Sequence, residues 1–298
     1  MKRVIILAVL MLAGMGCGRK PVRTGPVIAT SIFPIADVTA RLAGPEAEVF
    51  FVIPPGANPH SYEPVPSDVR RLQKVDLFIG VHPEFDGWIR RFLPPRVLTI
   101  NLIEPEHGHA AENEDGHNPH IWLSVKRMRR LLPELTRQLC QADSQAAERI
   151  KEAGRVYADS LDRLDRSIHD LMSGVQDRPF IQWHPAWTFF ARDYGLSLAG
   201  SIQRGHGHEP SLKSFEQLTS EAREKGVRLI VIGLNLESRA VEALAREIGA
   251  DVLQLDNLGD PEIPERSSYI RLMRYNAERL ASALRAVRTV KNTEDENE

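Results

Sequence analysis

The sequence predicts an α/β protein of two lobes, each a four-stranded parallel sheet flanked by helices, joined by one long rigid helix. Three observations lead there. Short β-branched runs alternate with helical patterns, as in βαβ units of a parallel sheet. The alternation is found twice along the chain. Between the two sets, residues 145–172 carry one helical period through Ala146, Ile150, Ala153, Val156, Leu161, Leu164, Ile168 and Leu171, with gaps mostly of three or four. At ~1.5 Å per residue this helix is ~40 Å long, a rod rather than an ordinary globular helix.

The first lobe, 27–144, is expected to hold strands at 27–32, 48–53, 76–80 and 96–100, with helices at 34–42 and 66–74. Ser67 or Asp68 is the expected cap of the second helix. A further helix follows residues 121–124 and carries Cys140 in its apolar pattern. The second lobe, 173–290, is expected to hold strands at 179–183, 196–202, 227–232 and 251–255. Its helices are expected at 187–194, 212–225, 238–248 and 267–287. The polar, acidic stretch 291–298 reads as a disordered tail.

Residues 1–17 read as a targeting segment. Lys2 and Arg3 precede an apolar run at 4–15, which is shorter than the ~20 residues a membrane-spanning helix needs. Gly14-Met15-Gly16-Cys17 resembles the lipidation site of bacterial lipoproteins, although Leu is usual three residues before the Cys, and its small residues also suit an ordinary signal peptidase. A lipid on Cys17 would hold the protein at a membrane surface without spanning it. Residues 18–26, rich in Pro, Gly and Arg, read as a tether. With Cys17 removed or lipidated, Cys140 is the one remaining thiol, so no internal disulfide forms, and Cys140 is expected to be buried and inert. A net charge of −2 over 298 residues, with no basic stripe, argues against a nucleic-acid partner.

Among ten histidines, placement singles out three, with one aspartate. His60 follows the second strand in a Pro/Gly-rich stretch, and His184 and Asp256 directly follow the fifth and eighth. Ligands of open α/β sheets bind beyond the carboxyl ends of the strands. His120 closes Asn118-Pro119-His120 in the connection leading to the long helix. Two residues from each lobe would meet in a cleft between lobes. Three imidazoles and a carboxylate suit tetrahedral Zn²⁺. The long, irregular spacing makes this a weak signal by itself.

The motifs carry more. Asn58-Pro59-His60-Ser61-Tyr62-Glu63-Pro64, Asn118-Pro119-His120-Ile121-Trp122-Leu123, His184-Pro185-Ala186-Trp187-Thr188-Phe189-Phe190 with Tyr194-Gly195-Leu196, Glu209-Pro210-Ser211, and Leu255-Asp256-Asn257-Leu258-Gly259 occur in that order. In these the chain resembles the zinc- and manganese-binding solute receptors of bacterial ABC importers, a family that includes metal-binding lipoprotein adhesins. The resemblance runs from about residue 27 to 284. It implies His60, His120, His184 and Asp256 as metal ligands. Asn118 stands where Asp is commoner, and Asn257 where Pro is usual. Manganese members have Glu at the position of His184 and zinc members His, so the resemblance implies zinc, carried as transported ligand rather than resident cofactor. Trading an oxygen donor for imidazole moves a site the same way. The function implied is capture of zinc outside the cytoplasm by a periplasmic or membrane-surface lipoprotein, expected to act as a monomer, and its delivery to an ABC importer permease.

His107, His109 and His117 lie in an acid- and Gly-rich loop that would collect zinc weakly, or is simply solvated; His206-Gly207-His208 is a similar case. His82 is expected in the core or at the cleft rim, and His169 exposed on the long helix. The alternatives are the same receptor tuned to manganese or iron, an adhesin, and a secreted zinc hydrolase. The last needs an open coordination position and a general base. Neither His-Glu-x-x-His nor Gly-x-Ser-x-Gly occurs, so the chain is not expected to be an enzyme.

Overall fold

The computed structural model describes residues 25–103, 118–203 and 212–287, apart from 235 and 237. The targeting segment with Cys17, most of the tether, the histidines at 107, 109, 117, 206 and 208, the Glu209-Pro210-Ser211 motif and the acidic tail lie outside the described residues.

The chain forms two four-stranded parallel sheets. The first contains β1 (Val27–Thr30), β2 (Glu48–Phe51), β3 (Leu77–Gly80) and β4 (Leu98–Asn101), in the order β2-β1-β3-β4. The second contains β5 (Phe180–Gln182), β6 (Leu198–Ser201), β7 (Leu229–Gly233) and β8 (Asp251–Leu255), in the order β6-β5-β7-β8. All eight strands fall within or beside their predicted stretches. The central strand β3 is apolar and buried along its whole length, as a strand covered on both faces must be. Each order reverses at its centre, which opens a crevice beyond the strands' carboxyl ends.

Helices α1 (Phe33–Ala43), α2 (Pro66–Leu72) and α3 (Pro83–Asp86) cover the first sheet, with a 3-10 turn at Gly87–Phe92. The second carries α6 (Thr188–Asp193), α7 (Leu212–Glu224) and α8 (Arg239–Ile248). The cap of α2 differs from expectation, being Val65 rather than Ser67 or Asp68. Helix α2 opens on Pro66, whose missing N–H is no loss in the first turn. Asp68 then sits at its third position, and its Oδ2 accepts from Val65 N at 3.0 Å. The short segment 83–92 was not predicted, because one turn of helix shows no period.

Helix α4 (Val125–Ala142) and α5 (Ala147–Met172) form an antiparallel pair between the sheets, and α9 (Tyr269–Ala286) packs beside them. The long helix is where the sequence placed it, but it is not a bare rod. It packs along α4, α9 and α1, burying Ile150, Tyr157, Leu161, Leu164, Ile168 and Met172. Val156, expected on that face, is half-exposed, and Tyr157 occupies the buried position. Residues flanking both sheets and all three helices share one apolar cluster. Truncating a fully buried member such as Leu161 to Ala should cost about 2–5 kcal/mol.

Two sets of polar contacts join α1 to α5 and to α9. The Arg149 guanidinium donates to Leu42 O and Ala43 O at the end of α1. Gly44 follows with φ +77°, a backbone conformation that strains any residue with a Cβ. Across the chain, Tyr269 N at the start of α9 donates to Asp37 Oδ2 on α1 at 2.9 Å. Cys140 is half-buried rather than buried, and its thiol faces Ala147 O at 3.5 Å. No helix among the described residues is long and apolar enough to cross a membrane.

Candidate metal centre

His60 rides the loop beyond β2. Asn58 Oδ1 accepts from His60 N at 3.0 Å, a side-chain turn of the kind Asn favours. Two residues on, the Tyr62 hydroxyl donates to Asp68 Oδ2 at 2.6 Å, tying the loop to the first turn of α2. Burial and the bond to Asp68 push the Tyr62 phenol up to about 12, so it stays a donor at any physiological pH. The His60 ring stands edge-on to Phe85 with centroids 5.3 Å apart.

His120 precedes the 3-10 turn Ile121–Leu123 that leads into α4, and it is buried. Asn118 Oδ1 takes two bonds from it, from His120 N at 3.0 Å and Nδ1 at 2.7 Å. Asn118 Nδ2 donates to Pro185 O at 2.7 Å. A carbonyl can only accept, so that bond fixes which end of the amide is nitrogen. The other end is then an acceptor, Nδ1 carries the proton, and Nε2 keeps its lone pair for an ion.

His184 leaves the end of β5. The buried Gln182 builds its turn: Oε1 accepts from Trp187 N at 2.8 Å, and Nε2 donates to Thr188 Oγ1 and Ser201 Oγ, both at 2.9 Å. These bonds hold the Pro185–Trp187 turn and with it the adjacent imidazole.

The three imidazoles converge. His120 Nε2 lies 3.4 Å from His60 Nε2 and 3.2 Å from His184 Nε2. All three ligand atoms fall within 4.8 Å of one another. Nitrogens about 2.0–2.1 Å from a tetrahedral Zn²⁺ stand about 3.3–3.4 Å apart, so the observed spacing is that of ligands around one ion. Phe85 and Trp122 wall the group, with Phe85–Trp122 centroids at 5.4 Å and His120–Trp122 at 5.1 Å.

The fourth expected residue is placed differently. Asp256 follows β8, but among the described residues the group within 4.8 Å contains the three histidines alone. Its Oδ1 accepts from Leu258 N and Gly259 N at 2.9 Å, and its Oδ2 lies 2.5 Å from Arg266 Nη1. The next residue does touch the centre's wall, since Trp122 Nε1 donates to Asn257 O at 2.7 Å.

His82 is a core residue. Its Nδ1 accepts from Glu84 N at 3.2 Å and so caps α3. His169 is exposed on α5. Sequence reading missed Phe85, Gln182 and Arg266. Gln182 alone left a trace, as a polar residue inside an apolar strand pattern.

Further bonds join the two sides of the centre. Ser124 Oγ donates to Asp193 Oδ2 at 2.5 Å, Arg127 Nε to the same oxygen at 3.0 Å, and Lys126 Nζ to Asp193 O at 2.6 Å. The turn carrying His120 is thus fastened to the end of α6, nine residues after His184.

Known proteins resemble this chain over most of its length. The family model described as zinc-uptake complex component A, periplasmic, matches residues 28–283. The zinc-binding protein AdcA of Streptococcus pyogenes serotype M1 is 27% identical over 282 residues, covering 85% of this chain and 55% of its own. The chain therefore spans about half the length of that relative. The high-affinity zinc uptake system protein ZnuA of Bacillus subtilis (strain 168) is 27% identical over 277 residues, covering 86% of this chain and 87% of its own. A crystal structure of ZnuA superposes with a TM-score of 0.75 at 25% identity, covering 87% of this chain and 99% of that one. The periplasmic zinc binding protein TroA from Treponema pallidum superposes with a TM-score of 0.75 at 20% identity, covering 87% of this chain and 99% of that one, a likeness of fold.

Proposed function

The chain belongs to the zinc-uptake complex component A family, and from that premise we propose that it captures zinc outside the cytoplasm and delivers it to the membrane permease of an ABC importer. His60, His120 and His184 hold the ion in the cleft between the two sheets. The observation that carries this reading is the Nε2 spacing of 3.2 and 3.4 Å, drawn from three separate loops on both sides of the cleft. Imidazole donors suit Zn²⁺, whereas Mn²⁺ prefers oxygen-rich sites, so zinc is favoured over manganese or iron. A hydrolase would need a carboxylate near the ion as general base. The nearest candidate by sequence, Asp256, is engaged by Arg266, which favours the receptor. Export through the amino-terminal segment, lipid on Cys17 and action as a monomer complete the proposal.

The test is the metal content of protein purified without added metal, followed by competition titration with Zn²⁺ and Mn²⁺. One zinc per chain, displaced by manganese only in large excess, is the expected result. Equal or preferential manganese binding would overturn the choice of metal, and no tight binding of either would overturn the receptor reading.

A further inference from the structure

The amino end of the first sheet, opposite the strand ends that lead to His60, gathers cations without partners. The four strands start level, with Val27 beside Glu48, Ile28 beside Leu77, and Leu77 beside Leu98. Strands β3 and β4 are neighbours, so the segments entering them lie side by side, about 4.8 Å apart at the strands. Helix α2 runs into this end with Arg70, Arg71 and Lys74, and the stretch before β4 brings Arg91 and Arg96. All five are exposed. Gln73 Nε2 donates to Phe92 O at 2.7 Å and fastens the two segments together. None of the five is in an ion pair among the described residues. The acidic residues that open or precede these strands are Glu46, Glu48 and Asp76. Glu46 lies 3.5 Å from Arg149, and Asp76 Oδ2 accepts from Val27 N at 2.9 Å. Leu98, the first residue of β4, is 48% exposed beside the cations.

The tether enters at this same end, where Asp76 N donates to Val27 O at 2.9 Å. Residues 18–26 contain Arg19, Lys20 and Arg23 and no acid. Cys17 precedes Gly25, the first described residue, by eight residues, a reach of at most ~28 Å. We propose that this basic face docks on an anionic phospholipid surface, which turns the metal cleft of the tethered chain away from the bilayer. The inference rests on the export and the lipid on Cys17 proposed above. A lipid confines the chain to the surface without orienting it. Clustered Lys and Arg within a Debye length, about 8–10 Å, of anionic headgroups supply a second attachment that does. Exposed Leu98 suits the boundary between headgroups and acyl chains. An acidic protein segment would meet the same charges, but the tether brings a membrane to this end of the molecule.

The test is vesicle co-sedimentation of the chain from residue 18 onward, which keeps every described residue and needs no lipid on Cys17. The probes are phosphatidylcholine vesicles with and without about a third phosphatidylglycerol. The parent should bind the anionic vesicles at least about 10-fold more strongly and leave them at about 0.5 M salt. Arg70→Glu with Lys74→Glu and Arg96→Glu should cut that binding at least about 10-fold. Arg130→Glu with Lys213→Glu and Arg274→Glu makes the same change of charge at exposed positions on α4, α7 and α9, and should stay within about 3-fold of the parent. A parent that does not distinguish the vesicles, or two triple variants that lose binding equally, overturns the proposal. Binding to polyglutamate without binding to vesicles gives the face to an acidic protein and overturns it as well. Should the first triple variant not fold, Lys74→Gln with Arg96→Gln decides: a loss of about 3-fold or more supports the face, and unchanged binding overturns it. Zinc titration of the same samples keeps the two readings apart. A parent that binds anionic vesicles but no zinc sinks the receptor reading and supports the face.

Discussion

Two tripeptides of identical sequence, Asn58-Pro59-His60 and Asn118-Pro119-His120, deliver two of the three imidazoles. Locally they fold alike, each Asn Oδ1 accepting from the His N–H at 3.0 Å. Beyond that they diverge. Asn58 has this turn bond to His60, whereas Asn118 also takes the His120 Nδ1–H and reaches across the cleft to Pro185 O. His60 is half-buried and His120 is 2% exposed. The shared tripeptide makes the turn; the surroundings decide whether it merely presents an imidazole or also orients it and couples it to the other side. His120 stands between the other two imidazoles, with both its nitrogens committed.

The largest expected effect follows from that position. His120→Ala should weaken zinc binding by about 1,000-fold, roughly 4 kcal/mol, and His60→Ala by about 10-fold, because water can replace a donor on a half-open loop. Calorimetric titration measures both. Equal losses would erase the distinction between the turns.

The next concerns Phe85, on which both histidines rest, at centroid distances of 5.3 and 6.4 Å. The turn bearing it is anchored by Asp86, whose Oδ2 accepts from Val81 N at 2.6 Å. Burial pushes the Asp86 carboxyl up to about 6, against the pull of the Ser31 hydroxyl and the surrounding amides. The folded value lies above the unfolded one near ~3.9, so the folded state binds the proton more tightly. The resulting stability is fully present below about pH 4 and is lost as pH rises through about 6. Between those limits the parent should lose about 3 kcal/mol relative to Asp86→Asn, read from denaturant unfolding at a series of pH values. Parallel curves for parent and variant would show that Asp86 does not titrate as described.

The smallest effect separates the two asparagines. Asn118→Ala should lower zinc affinity about 10–100-fold, as loss of a residue orienting a ligand does, and Asn58→Ala less than about 5-fold. Asn118→Asp keeps the acceptor for Nδ1 but loses the donor to Pro185 O, so it should fall between them. Competition titration against a chelator of known affinity resolves all three. A loss at Asn58 matching that at Asn118 would contradict the comparison.

How much of this was legible beforehand depends on what each residue relies on. The strands and the long helix show in the sequence because periodicity is local, and His60, His120 and His184 stand out because strand ends and motifs mark them. The order β2-β1-β3-β4 is set by crossovers that leave no period. The packing of α5 was misjudged at Val156 because a single helical period cannot tell which of two adjacent apolar residues, Val156 or Tyr157, faces a neighbour. Asp256 was read from its place after a strand, but its partner is ten residues away in a Pro-bounded turn, so nothing local announces Arg266. Phe85 escaped for a similar reason, sitting on a helix of one turn.

The central claim is that zinc is held by three imidazoles drawn from both sides of the cleft. X-ray absorption at the zinc edge, on protein loaded with one equivalent, tests it most directly. The account predicts three imidazole nitrogens at about 2.0–2.1 Å, with the scattering signature of their rings and no sulfur. A first shell with fewer than two imidazoles, or one dominated by oxygen or sulfur, would contradict it.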